Sequence, residues 1–355
     1  MDVIAEAVEL IRNATCPGDY DQAWELVGRA TQDRETAAGR GFALVRSPDP
    51  AERRIGCDLL GSVAQVEGSL REPVLLAALE LVATETEDAV HASIARTLGC
   101  TGDERAVPEL LRLAGHPDED VRFYVAWSLP LGRADDDAVI EALIRLTTDP
   151  EDEVRDWATF ALGTQCQADS RAIREALWAR VGDQDTEARE EAIAGLARRR
   201  DRRVVPHAAR LLDNGGFSPN TLTAIACLGD PALVPYLEDF EEDQGITDAL
   251  GECDPARRAA RDAFAAGLAE ALHARLPELD FGVYGELCEP GLTLVASGYI
   301  WSVERLRDRV SGDPVRAADL VAAELSPSES RATPPEPASP RATLPEPASH
   351  LTARP

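Results

Sequence analysis

Lysine is absent from this 355-residue chain, so all 36 of its basic residues are arginine. We read that bias as the imprint of a GC-rich coding sequence and attach no mechanism to it. Positive charge is also outnumbered: 64 acidic residues leave a formal net charge of −28. Such a surface disfavours nonspecific attraction to nucleic-acid backbones and anionic lipid, so neither is expected as a partner. The seven cysteines form no Cys-x-x-Cys pair and are odd in number, which fits free thiols in a reducing compartment. No apolar run reaches membrane-spanning length, and Met1-Asp-Val-Ile-Ala-Glu lacks the basic lead of a secretory signal. A cytoplasmic location is the expectation. Catalytic signatures are missing as well. The five histidines show no His-x-x-x-His spacing and no Cys/His cluster, no Gly-x-Ser-x-Gly elbow occurs, and Gly39-Arg-Gly41 lacks the third glycine of a dinucleotide loop. The expectation is a protein without catalytic residues, bound metal or cofactor.

What the chain does have is an internal repeat. Val121-Arg122-Phe-Tyr-Val-Ala-Trp-Ser-Leu129 and Val154-Arg155-Asp-Trp-Ala-Thr-Phe-Ala-Leu162-Gly163 are near copies. Worn versions begin at Glu52, Val90 and Ala188, giving intervals of 38, 31, 33 and 34 residues, and Ala224 to Gly229 repeats the end of the phrase. Periods of this length mark stacked units, none of which buries its apolar face alone. Within one unit, Val154, Ala158, Ala161 and Leu162 form a helical stripe. Asp149-Pro-Glu-Asp-Glu is expected to cap that helix, and Gly163 to end it in a left-handed conformation. A second amphipathic helix follows in each unit, as at Ala172–Trp178, with Pro73, Pro108 and Pro206 in first turns of their helices, where proline costs little.

The phrase from Asp149-Pro150 through Val154-Arg155 to Ala161-Leu162-Gly163, with Pro108-x-Leu110-Leu111 in the second helix, resembles the HEAT-repeat superfamily, especially the short HEAT-like repeats of phycobilisome lyase subunits. The resemblance implies an all-α, right-handed α-solenoid of stacked helix pairs. Residues 1–46 read as a cap helix and a degenerate repeat, 47–240 as the repeat array, and 241–325 as a divergent helical C-terminal cap. In the cap, Phe281–Leu294 reads as an irregular connector or short hairpin, and Tyr299–Val310 as a helix. Residues 326–355 duplicate a Pro/Ala/Ser-rich decapeptide and read as a disordered tail. The superfamily also contains hydroxylases with paired His-Glu iron sites, which this sequence lacks, and DNA glycosylases, whose basic concave surface an acidic body does not offer.

Comparing units column by column picks out candidate binding residues. At the Trp127 position the other units carry Asp58, Arg96, Phe160, Ala194 and Ala226, a column placed by the helical wheel at the water margin. With Tyr124 and Trp157 in a flanking column, Trp127 and Phe160 make a four-aromatic patch suited to a partner, or else a wedge between neighbouring helices. Arg198, Arg199, Arg200, Arg202 and Arg203 form a cluster that reads either as a solvated loop or as a dock for an acidic group. Arg53, Arg122, Arg155 and Arg189 share one column, and Ser47, Glu85, His116, Asp149 and Asp183 another. Such columns resemble the hydrogen-bond ladders that fix repeat stacking. The functional expectation is a monomeric, non-catalytic scaffold or adaptor for a basic protein. The alternative is an accessory or chaperone-like subunit of a modifying enzyme or lyase.

Overall fold

The computed structural model describes residues 2–215, 218–240, 243–285 and 290–325. The expected disordered tail lies outside the described residues. Packing divides the chain between Ala168 and Asp169 into two units.

The first unit opens with α1 (Val3–Arg12), α2 (Pro17–Ala30) and α3 (Arg34–Leu44). Helix pairs follow: α4 (Pro50–Val66) with α5 (Arg71–Val82), α6 (Asp88–Thr101) with α7 (Val107–Leu113), α8 (Glu119–Arg133) with α9 (Asp137–Leu146), and then α10 (Asp152–Phe160). The first helices of successive pairs lie against one another, α4 on α6 and α6 on α8. Their stripes, Ile55–Leu59–Val63, Val90–Ile94–Leu98 and Val121–Val125–Leu129, are all buried. Each full burial of such a side chain contributes about 1.5–3 kcal/mol.

Small residues let these helices approach closely. The Ser128 hydroxyl donates to Ala95 O at 2.9 Å, and Thr97 Oγ1 to Cys57 O at 2.8 Å, both across the helix interface. A Cβ on Gly99 would sit 2.4 Å from Ser128 Oγ and 3.0 Å from its Cα. Gly99 is therefore a contact glycine inside α6, while the left-handed stop is supplied by Gly102, at φ 61°. Gly99→Val is expected to cost roughly 2–3 kcal/mol through overpacking, read as a lower urea midpoint.

Two local expectations change. Gly163 does not cap α10 in a left-handed conformation; the helix runs on through a π turn, Ala161–Gln165. Asp149 does not cap α10 either, since the cap position falls on Glu151. The Asp149 carboxylate is engaged by the preceding repeat's arginine, described below.

The second unit contains α11 (Arg171–Arg180), α12 (Thr186–Arg198), α13 (Val205–Asn214), α14 (Pro219–Leu228), α15 (Val234–Leu237) and α16 (Gln244–Cys253), with α12, α14 and α16 stacked in a row. The alanine-rich α17 (Pro255–Arg275) follows, as expected from Asp254-Pro255, whose Asp254 side chain caps it.

Beyond α17 the expected helical cap contains a sheet. Strands β1 (Phe281–Tyr284), β2 (Thr293–Ala296) and β3 (Tyr299–Ser302) pair antiparallel in the order β1-β2-β3. Their residues are mostly β-branched or aromatic, and Ser297 and Gly298, both with positive φ, form the two-residue turn that joins β2 to β3. The helix expected from Tyr299 starts only at α18 (Val303–Arg309), where Ser302 Oγ accepts from Arg305 N. The inner sheet face, Leu294, Ala296 and Trp301, closes a core with Leu268 and Leu272 of α17 and Ala317 and Val321 of α19 (Pro314–Leu325). Among the described residues no helix is long and apolar enough to cross a membrane.

Candidate interaction face

The arginine and acid columns form the ladder their spacing implied. Arg53 forks onto Glu85 of the next repeat, Nε to Oε2 at 2.7 Å and Nη2 to Oε1 at 2.9 Å. Arg122 does the same to Asp149, at 2.7 and 3.0 Å. The remaining nitrogen of each arginine donates back to two carbonyls of its own preceding turn, Ser47 O and Pro48 O for Arg53, His116 O and Pro117 O for Arg122. One guanidinium thereby locks its own turn and the start of the following repeat, in the planar fork geometry that lysine lacks.

The Trp127 column departs from expectation. Asp58, Arg96 and Trp127 are buried rather than at the water margin, with Trp127 only 4% exposed. For Asp58 and Arg96 the physical reason is α2, while Ala194 and Ala226 of the same column are buried in the second unit as well. Tyr20 and Trp24, one helical turn apart, lay their rings over the first-helix row. The Arg54 guanidinium stands 3.8 Å from the Tyr20 ring centre, and that of Arg96 stands 4.2 Å from the Trp24 ring. The Tyr20 hydroxyl donates to Asp58 Oδ2 at 3.3 Å. The wheel described each helix correctly in isolation but had no knowledge of a helix lying over it.

Several side-chain atoms on α4, α6 and α8 are buried without hydrogen-bond partners. Asp58 Oδ1, Ser93 Oγ, Arg96 Nη1, Arg54 Nε and Trp127 Nε1 are buried and have no hydrogen-bond partner. Burial pushes the Asp58 carboxyl above the ordinary carboxylate value, and the charges of Arg54 and Arg96 oppose that rise. Tyr20 is pushed well up, first by burial and then by the Asp58 charge.

Further along the same row lie the other aromatics. Tyr124 is half-buried and its hydroxyl lies beside Tyr20. Phe123 packs edge-on against Tyr124 and Trp157, at 5.0 and 6.1 Å between ring centres, and Trp157 against Phe160 at 5.7 Å. The structure thus joins Tyr124, Trp157 and Phe160 into one half-buried row through Phe123, and assigns Trp157 and Phe160 to α10. Phe123 was missed because its column carries no recurring aromatic. Trp127 is separated from the row by burial. Acidic residues border the row on α8. Glu119 is pushed up chiefly by Glu151, then by burial and Asp120, and Asp120 is pushed up by burial and Asp118.

The arginine cluster does not form a free basic surface. Arg198 and Arg199 are buried, bonding to Asn220 Oδ1 and to Gly195 O respectively. Arg200, in the left-handed region at φ 54°, donates to Cys227 O. Arg202 pairs with Asp230 at 2.6 Å, and Arg203 with Asp201 at 2.7 Å and Glu175 at 3.1 Å while stacking on Trp178. Internal carboxylates thus claim Arg202 and Arg203, and neutral oxygens accept from Arg198, Arg199 and Arg200.

Sequence reading also missed two features. Tyr284 and Ile300 are well exposed on the outer face of the sheet in the second unit. In the first unit Asp88, His91 and His116 converge, although the two histidines stand on different repeats.

Comparison with known proteins places this geometry. The family described as HEAT repeats matches residues 72–163 and 140–229. Protein YibA of Escherichia coli strain K12 is 31% identical over 182 residues, covering 50% of this chain and 53% of YibA, and YibA of strain O157:H7 aligns with the same figures. The chain thus spans about half the length of the curated relatives it matches. The X-ray structure of E. coli YibA aligns with a TM-score of 0.53 at 22% identity, over 71% of this chain and 92% of that one, which is a likeness of fold. The complex of CpcE and CpcF of phycocyanin lyase from Nostoc sp. PCC7120 aligns with a TM-score of 0.41 at 22% identity, over 62% of this chain and 86% of that one. With its paired helices and arginine ladder, the segment from residue 72 to residue 229 is an array of HEAT repeats.

Proposed function

We propose that the protein is a non-catalytic scaffold that seats a basic helical segment of a protein partner on the face of α8 and α10. One observation carries the reading: the row Tyr124–Phe123–Trp157–Phe160 continues the surface on which the chain's own α2 lays Tyr20 and Trp24. Helix α2 is in effect an internal ligand, and it leaves the α8 and α10 end of that row half-covered. Rigid aromatics of this kind supply contact area at small cost in conformational entropy, as in binding hot spots. The crowded carboxylates at Glu119 and Asp120 favour a cationic partner, mainly by steering its approach. An accessory subunit seated on a modifying enzyme uses the same face and is a special case of this reading.

The test is affinity purification of the full chain with mass spectrometry, repeated with Trp157→Ala/Phe160→Ala. Both rings are half-buried, so the double variant is expected to keep most of its stability while the recovered partner falls by about tenfold or more. Binding should weaken as salt rises. A partner retained equally by the variant rules out the face.

A further inference from the structure

The ladder has one rung that is neither arginine nor carboxylate. His91 follows Val90 as Arg122 follows Val121 and Arg155 follows Val154, so it stands in the arginine column. His116 stands in the acid column, where Glu85 and Asp149 receive Arg53 and Arg122. Between the α6 repeat and the α8 repeat, a cation–anion pair has therefore been replaced by two imidazoles, with ring centres 5.3 Å apart. Asp88, one turn before His91 on α6, brings a carboxylate oxygen to 3.7 Å from His116 Nε2. One ligand atom from each of the three residues lies within 4.8 Å of the other two.

We propose that Asp88, His91 and His116 bind a divalent transition-metal ion of the zinc type, which ties the two repeats together where the arginine fork is missing. The donor set is two imidazole nitrogens and one carboxylate oxygen, a combination zinc accepts with a further position left for water. A separate observation points to a ligand. His91 is only 8% exposed, yet its Nδ1 is buried without a hydrogen-bond partner, an arrangement that costs stability unless something fills it. Zinc with bonds of about 2.0–2.1 Å holds tetrahedral ligand atoms roughly 3.4 Å apart, so the three groups must draw inward. Asp88 is a surface side chain and His116 sits on the turn before α8, and both can move. Coordination through His116 Nε2 places its proton on Nδ1 and displaces the Asp118 N–H that now donates there at 3.2 Å. Binding is thus expected to be reversible rather than a condition of folding.

The experiment is calorimetric titration of the EDTA-stripped full chain with zinc sulfate, alongside thermal melts. One ion per chain is expected, and at about a hundredfold excess over Kd the melting temperature should rise by about 5 °C. The decisive variant is His91→Arg/His116→Asp, which rebuilds the fork of the neighbouring rungs and should fold while losing the zinc response. If that variant does not fold, Asp88→Asn at the surface decides, with about a tenfold or greater loss of affinity expected. The proposal is overturned by an absence of zinc binding to the natural sequence. It is equally overturned by binding that persists in the folded variants, as coordination by the exposed Cys16 thiol would.

Discussion

Trp127→Ala is expected to lower the unfolding free energy by about 3–5 kcal/mol, the range for deleting a large aromatic from a closed core. The residue is 4% exposed and sits in α8 among Val125, Ala126 and Leu129, all fully buried, so little solvent can fill the space it leaves. Trp127→Phe is the discriminating control. The indole Nε1 is buried without a partner, so exchanging the ring for phenylalanine loses no hydrogen bond and removes an unsatisfied donor. Its cost should stay below about 1.5 kcal/mol. Urea unfolding at constant m-value reads both. A small effect of the alanine variant would return Trp127 to the surface patch that its column suggested.

Arg53→Ala should cost about 3 kcal/mol at pH 7, because it strands a carboxylate whose side chain is 1% exposed. The loss has a defined pH dependence. Burial pushes Glu85 up, but the hydrogen bonds from Arg53 and from the Glu87 and Thr86 amides outweigh it and hold the carboxyl below its ordinary value of 4.5. The folded value is thus lower than the unfolded one. The rung's contribution is complete above about pH 4.5 and disappears as pH falls through the lower, folded value. The penalty of Arg53→Ala should therefore shrink when unfolding is measured below pH 4, whereas a purely steric loss would not change. Arg53→Lys keeps the charge without the fork and should fall between the two.

These two residues show where sequence reading succeeds and where it stops. The arginine column could be read because its geometry is local. Arg53 or Arg122 reaches its own preceding turn and the acid that opens the next repeat, and both offsets recur with the period. The aromatic column was harder, because exposure at Asp58 and Arg96 depends on α2, a helix outside the recurring phrase. Tyr20 and Trp24 cover Asp58 and Arg96 but leave Phe160 half-covered, and no spacing within α2 announces which face it will lie on. Which of the two readings of the arginine cluster applies was hidden for a related reason. Its charge is plain in the sequence and Asp201 lies within it, but Asp230 and Glu175 come close enough to claim it only once the helices pack. The sheet, by contrast, left a usable signal in Ser297-Gly298 between two apolar runs, a two-residue turn that was passed over in favour of a helix.

By itself the sequence determined the helix pairs, their period and the ladder that joins them. Those features rest on contacts within a turn or between adjacent copies, where a repeated phrase states the interaction several times. Only the tertiary structure decided which members of a column meet water and which arginines are neutralised. Such outcomes depend on contacts made once, between segments whose separation in sequence carries no period.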